Sequence, residues 1–124
     1  MRWGGPRQPA VWLTSARPLQ LHCAQSFAAR LLGLYLYPDW GEQPWGLLFP
    51  GCRAVHTLGL AMPLDLVFLN IDRQILAAVC GVRPGHIVWR HHARAVIELP
   101  LGYCSRPDWQ AQVDAAVRAW KIVV

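Results

Sequence analysis

The sequence predicts a mainly β fold, an antiparallel sandwich or a partly closed barrel, with a short helix near 26–34 and a C-terminal helix near 106–120. Two observations carry this prediction. Short apolar runs recur along the chain with Gly, Pro, Asn or Asp breaks between them, which is typical of small all-β folds. Apolar residues at helical spacing occur in only two places. This order of elements favours an antiparallel sheet with helices at its margins over a doubly wound fold.

Each predicted strand is a short apolar run bounded by turn-forming residues. Leu64–Leu69 is the strongest of them, and Asn70–Arg73 is a plausible hairpin turn to its partner. The composition of 38–46, rich in Gly, Pro and Trp, indicates a loop. In chain order the predicted strands cover residues 10–13, 19–23, 47–49, 53–57, 64–69, 74–82, 86–89 and 93–99.

The two helices are predicted from their apolar spacing and their caps. In the first, Phe27, Leu31 and Leu34 form one face, with Ser26 as the better capping residue. In the second, the apolar face runs from Trp109 to Trp120. Ser105 is the preferred cap and Asp108 the alternative.

Length and composition indicate one domain over residues 10–124, preceded by a flexible lead at 1–9. The chain has 124 residues, of which 54% are hydrophobic and 15% charged, which excludes a disordered chain. Its longest apolar runs are interrupted before the ~20 residues that span a bilayer, and no secretory signal is visible. We therefore expect a cytoplasmic monomer that does not insert into membranes.

The basic residues are spread along the chain, and this distribution does not predict nucleic-acid binding. The net charge is +5, but no window combines a dense basic run with interleaved aromatics. The densest stretch, Arg90–Arg94, is interpreted as a solvated loop or strand edge.

The sequence predicts no metal site and no cofactor. The four cysteines form no Cys-x-x-Cys pair, so they are interpreted as small buried hydrophobic residues of a reducing compartment, with two disulfides as the alternative in an exported chain. His86, His91 and His92 lack the spacing of a metal site, and no Gly-rich phosphate loop is present.

A polar cleft is the candidate site. Asp65 stands in an apolar strand, so it needs a partner, and Arg30 is the natural one. This pair would either fasten the first helix to the sheet or bind a ligand. The candidate ligand-binding residues are Arg30, His56, Thr57, Asp65 and Glu98.

Three functions follow from these residues. The first is a non-catalytic accessory or binding domain for a polar small molecule or a protein partner, because no catalytic motif is complete. The second is a hydrolase that uses Asp65 or Glu98 with His56. The third is a protein–protein interaction module built on the C-terminal helix or the Trp-rich loop.

Four sequence blocks resemble the DUF192 family of small uncharacterised proteins over roughly residues 20–104. The resemblance implies a β-sandwich-like fold and supplies no activity. Many relatives look exported, whereas no signal peptide is visible here, and the helical tail replaces the last strands of relatives. The blocks are Arg30-Leu31-Leu32-Gly33-Leu34, Gly46-Leu47-Leu48-Phe49, Met62-Pro63-Leu64-Asp65-Leu66-Val67-Phe68 after His56-Thr57, and Val96-Ile97-Glu98-Leu99-Pro100-Leu101-Gly102.

Overall fold

A computed structural model describes residues 18–23, 45–59 and 62–120. These residues form seven strands, a short 3₁₀ helix and an α-helix. The strands are β1 (Gln20–Cys23), β2 (Trp45–Pro50), β3 (Ala54–His56), β4 (Leu64–Leu69), β5 (Ile75–Val82), β6 (Ile87–Trp89) and β7 (Ala95–Pro100). The 3₁₀ helix is Tyr103–Ser105, and the α-helix, α1, is Trp109–Ala119.

Five strands form one mixed sheet in the order β1-β2-β7-β4-β5. Four of these strands pair antiparallel, as expected, but β1 runs parallel to β2. The sheet is therefore not purely antiparallel, and in the described part of the chain it does not close into a barrel. Parallel neighbours need a connection of a dozen or more residues, and the segment 24–44 is long enough to provide it.

A second sheet, formed by β3 and β6, covers one face of the large sheet, and α1 covers the other. Two apolar clusters fill the spaces between these three layers. Leu66 and Phe68 belong to the cluster beneath the small sheet, and Val67 and Leu69 belong to the cluster beneath α1. Strand β4 is therefore buried on both faces, which explains why its sequence is apolar almost throughout rather than alternating.

The turn between β4 and β5 is a tight hairpin, as the sequence predicts. The Asn70 side chain accepts hydrogen bonds from the backbone N–H groups of Asp72, at 2.9 Å, and Gln74, at 3.0 Å. Arg73 adopts a left-handed conformation with φ 62°. An asparagine that bonds to the following backbone is a common way to fix such a turn.

Helix α1 packs its apolar face on the large sheet. It begins after Asp108, which holds the position of the alternative cap, although the Asp108 carboxylate bonds to Arg106 and makes no capping hydrogen bond. Ser105 lies in the preceding 3₁₀ helix instead. Val113 and Val117 are buried, and Trp109 and Trp120 pack against the same cluster. Because this face packs internally, it is not free to serve as the apolar docking surface of an interaction module.

The predicted strands from 19–23 onward are confirmed, with ends that differ by at most two residues. The strand at 10–13, the helix at 26–34 and the lead at 1–9 lie outside the described residues. One part of the predicted loop is wrong, because Trp45 and Gly46 begin β2 and Trp45 is buried in the core. No helix in the described ranges is long and apolar enough to cross a membrane.

Substitution of Asp108 tests the ion pair in front of α1. The buried Arg106 side chain donates to both Asp108 oxygens, at 2.9 and 3.0 Å, which lowers the pKa of Asp108. Asp108→Asn should cost about 1 kcal/mol, because the carboxylate is 43% exposed and partly screened. With its pKa lowered in the folded state, the carboxylate stabilises above its unfolded pKa of 3.8, and that contribution falls away at lower pH.

Urea unfolding of the wild type and of Asp108→Asn, at neutral and at acidic pH, measures the difference in their free energies of unfolding. A deficit in Asp108→Asn that persisted unchanged below the folded-state pKa would contradict the ion-pair assignment.

Substitution of Thr57 tests the connection between the two strands of the small sheet. The buried Thr57 hydroxyl donates to the carbonyl of Arg83, at 2.7 Å, and accepts from the N–H of His86, at 2.9 Å. Thr57→Val keeps the shape and removes both bonds, so we expect a loss of about 1–2 kcal/mol in thermal or urea unfolding. Thr57→Ser keeps the hydroxyl and is the matched control. Equal losses in the two variants would show that the hydroxyl does not matter.

Candidate functional site

Asp65 is the polar group at the centre of the candidate site. It is the second residue of the buried strand β4, and its side chain lies on the face covered by α1. Its carboxylate accepts hydrogen bonds from the N–H of Gly81, at 2.8 Å, and from the N–H of Cys104, at 3.0 Å. Within the described ranges, these backbone groups are the donors that bond the carboxylate, and a charge in the interior is costly unless it is bonded.

A bulge in β5 supplies the first of these donors. The register between β4 and β5 shifts between Leu64 and Leu66, so that Asp65 stands opposite both Cys80 and Gly81. Gly81 has φ 68°, a conformation that a residue with a side chain rarely adopts. The bulge therefore turns the N–H of Gly81 towards the carboxylate, and bulges of this kind commonly redirect groups at functional sites.

The turn after β7 supplies the second donor and a thiol. Gly102, with φ 86°, lets the chain fold back into the 3₁₀ helix that contains Cys104. The result is a compact cluster of three possible ligands. An Asp65 carboxylate oxygen and the Sγ atoms of Cys80 and Cys104 all lie within 4.8 Å of one another.

The pKa values of the carboxylate and of the two thiols are all raised in this cluster. Burial raises the pKa of Asp65, and backbone hydrogen bonds from Cys104, Gly81 and Gly102 oppose that rise. The pKa of the Cys104 thiol is raised by burial first and then by the charge of Asp65. The pKa of Cys80 rises for the same two reasons. Both cysteines are therefore thiols at neutral pH rather than activated nucleophiles.

The cluster has the chemistry of a metal site more than that of a catalytic dyad. Two thiols and one carboxylate are ligands that zinc and similar ions take in proteins. The prediction that the cysteines are buried is wrong for Cys80, which is exposed, and Cys104 is half-buried, so the cluster is open to solvent on the side of β5. A cation would also relieve the repulsion among three groups that are each anionic when deprotonated.

The two predicted acids do not share a cleft. Asp65 pairs with Leu99, which belongs to the cluster beneath α1. Glu98 pairs with Leu66, which belongs to the cluster beneath the small sheet. Residues that face each other across paired strands point to the same side of the sheet. Asp65 and Glu98 are both buried, but on opposite faces.

The other predicted site residues lie away from Asp65. His56 is at the end of β3, in the small sheet, on the side of the large sheet that Glu98 faces. Thr57 is buried and bonded to the segment 83–86, which gives it a structural role. Arg30 lies outside the described residues. The version of the hydrolase that combines Asp65 with His56 is therefore not supported by the fold.

Sequence reasoning missed the two cysteines beside Asp65. Counting outward from the predicted turn at 70–73 places Asp65 opposite residue 78, and the register shifts in the pairing of β4 with β5 bring residues 80 and 81 there instead, so no signal in the sequence pointed to Cys80. No local signal existed for Cys104, since it reaches Asp65 through a turn that follows a different strand.

Known structures resemble this chain in fold. A protein of unknown function from Novosphingobium aromaticivorans DSM 12444 matches with 21% identity and a TM-score of 0.54, covering 68% of this chain and 65% of that one. A putative transcription regulator from Sinorhizobium meliloti 1021 matches with 22% identity and a TM-score of 0.51, covering 68% and 70%. The chain thus spans about two thirds of the Novosphingobium protein.

Sequence comparison places the chain in a family without an assigned activity. No curated protein is significantly similar to it. The model of the DUF192 family, described as Uncharacterized ACR, matches residues 11–117, which is most of the chain. The expected resemblance is confirmed, and the chain belongs to the DUF192 family.

Proposed function

We propose that this chain is a non-catalytic metal-binding domain that holds a thiophilic divalent cation, of the zinc class, between Asp65, Cys80 and Cys104. One observation carries the proposal, namely the convergence of one carboxylate and two thiols within 4.8 Å. Their positions come from three separate segments, a central strand, a bulge and a turn, so the cluster is not an accident of sequence proximity.

The distances fit a site that tightens when the ion binds. Zinc bonds of ~2.3 Å to sulfur imply ligand separations of roughly 3.8 Å in a tetrahedron. The cluster must therefore contract by up to about 1 Å. Cys80 can provide that movement, because it is exposed and lies in a bulge. Asp65 is held in place by Gly81 and Cys104, and it would act as the fixed ligand.

The ligand types select the ion. Calcium and magnesium take six or more oxygen ligands, and the cluster offers one carboxylate. Binding of a zinc-class ion would displace the two thiol protons to solvent, which leaves two thiolates and one carboxylate around a charge of two. The fourth position would be open to water or to an exchanging ligand, as suits reversible binding.

A cobalt titration tests the proposal directly. The reduced, chelator-treated protein should bind one Co²⁺ and show thiolate-to-cobalt absorption in the near ultraviolet, and Zn²⁺ should displace the signal. Cys80→Ser should weaken binding at least ~100-fold, since loss of a group that only supports a ligand already costs 10–100-fold. Cys80 is exposed, so this variant should keep its fold.

Cys23→Ser is the matched control, because Cys23 is also exposed and lies in β1 at the opposite edge of the sheet. It should bind Co²⁺ as the wild type does. Absence of the absorption in the wild type, or equal binding by Cys80→Ser and the wild type, would refute the metal site.

A further inference from the structure

A cavity of about 230 Å³ lies at the end of the large sheet that is remote from Asp65. It opens beside the last turn of α1, at the ends of β2 and β4 and the start of β7. Leu69, which lines it, stands four residues from Asp65 along β4, a separation of about 13 Å. The cavity is therefore distinct from the thiol cluster, although both lie on the face of the large sheet that α1 covers.

The walls of the cavity are apolar. Leu48, Leu69 and Val117 belong to the buried cluster beneath α1, and the half-buried Trp120 packs against that cluster. A dry cavity of about 150 Å³ with such a lining holds one benzene molecule. The volume of about 230 Å³ therefore accommodates one aromatic ring with a short chain attached, and Trp120 offers an aromatic surface on which a ring can pack.

Two arginines give the cavity its charge. Arg73, from the turn after β4, and Arg94, which precedes β7, both line it, and no acidic residue is among its described lining residues. Nη1 of Arg73 donates to the carbonyl of Trp120, at 3.2 Å, and Nη1 of Arg94 donates to the carbonyl of Ala93, at 2.9 Å. A guanidinium carries five N–H donors, so each of these bonds holds an arginine in place and leaves donors for a ligand.

The two guanidinium groups lack an anionic partner. In the described part of the chain, neither of them lies within ion-pair distance of a carboxylate. Arg94 is also half-buried, and a cation that is partly withdrawn from water is stabilised by a bonded anion. Arginine binds a carboxylate well, because its fork can form two parallel hydrogen bonds with the two oxygens.

We propose that this cavity binds a small monocarboxylate of the arylalkanoate class. The ring would lie among the apolar walls, and the carboxylate would meet Arg73 and Arg94. Charge complementarity selects this ligand, because an uncharged hydrocarbon leaves both guanidinium groups without a partner and a cation is repelled by them. This proposal is independent of the metal site.

Isothermal titration calorimetry of the full chain with 3-phenylpropionate tests the site. One molecule should bind per chain, and the affinity should fall as salt is added. The neutral 3-phenylpropan-1-ol has a similar apolar body and should bind at least about tenfold more weakly, because it forms no charged hydrogen bond. The cationic 3-phenylpropan-1-amine should not bind.

Two variants remove different halves of the site. Arg94→Gln removes the charge and keeps a donor for the carbonyl of Ala93, so it should weaken binding of 3-phenylpropionate at least about tenfold and leave binding of the alcohol nearly unchanged. Ala95→Leu places a larger side chain in the cavity wall and should abolish binding of both ligands. Should Ala95→Leu fail to fold, Arg94→Gln and the three ligands still decide the question.

Arg118→Gln is the matched control for the charge. Arg118 is an exposed arginine on α1 that does not line the cavity, and its variant should bind 3-phenylpropionate as the wild type does. Urea unfolding of each variant checks that the fold is kept.

Four results would overturn the proposal. The first three are no binding of 3-phenylpropionate by the wild type, equal weakening in Arg94→Gln and Arg118→Gln, and equal affinity for the carboxylate and the amine. The fourth is binding that appears only after removal of residues 121–124, which follow Trp120 and lie outside the described residues. That result would assign the cavity to the chain's own segment.

Discussion

A carboxylate buried in the central strand is the constraint on which the rest of the architecture depends. Strand β4 is covered on both faces, so Asp65 has no route to bulk water along its own strand. Leaving such a group unbonded would cost several kcal/mol. The chain meets this demand with backbone N–H groups from a bulge at Gly81 and from the turn at Cys104. The bulge at Gly81 and the turn at Cys104 therefore converge on one side chain.

The same arrangement gives the thiols their place. Cys80 precedes Gly81, so the bulge that directs the N–H of Gly81 at Asp65 also places Cys80 beside the carboxylate. The bond from the N–H of Cys104 likewise places the Cys104 side chain near Asp65. Asp65 then raises the pKa values of both thiols on top of the effect of burial, whereas hydrogen bonds from Cys104 lower the pKa of Asp65. At neutral pH the two thiols keep their protons, and a soft cation would displace those protons. The proposed metal site therefore accounts for the cluster better than nucleophilic catalysis does.

The sequence predicted the strands well because their evidence is local. Apolar runs and turn residues identified Leu64–Leu69 and the hairpin at 70–73, and alternation correctly separated Asp65 from Leu66. It could not predict which segments cover each face. The parallel pairing of β1 and the approach of Cys104 to Asp65 are long-range contacts, and they leave no periodic trace in the sequence.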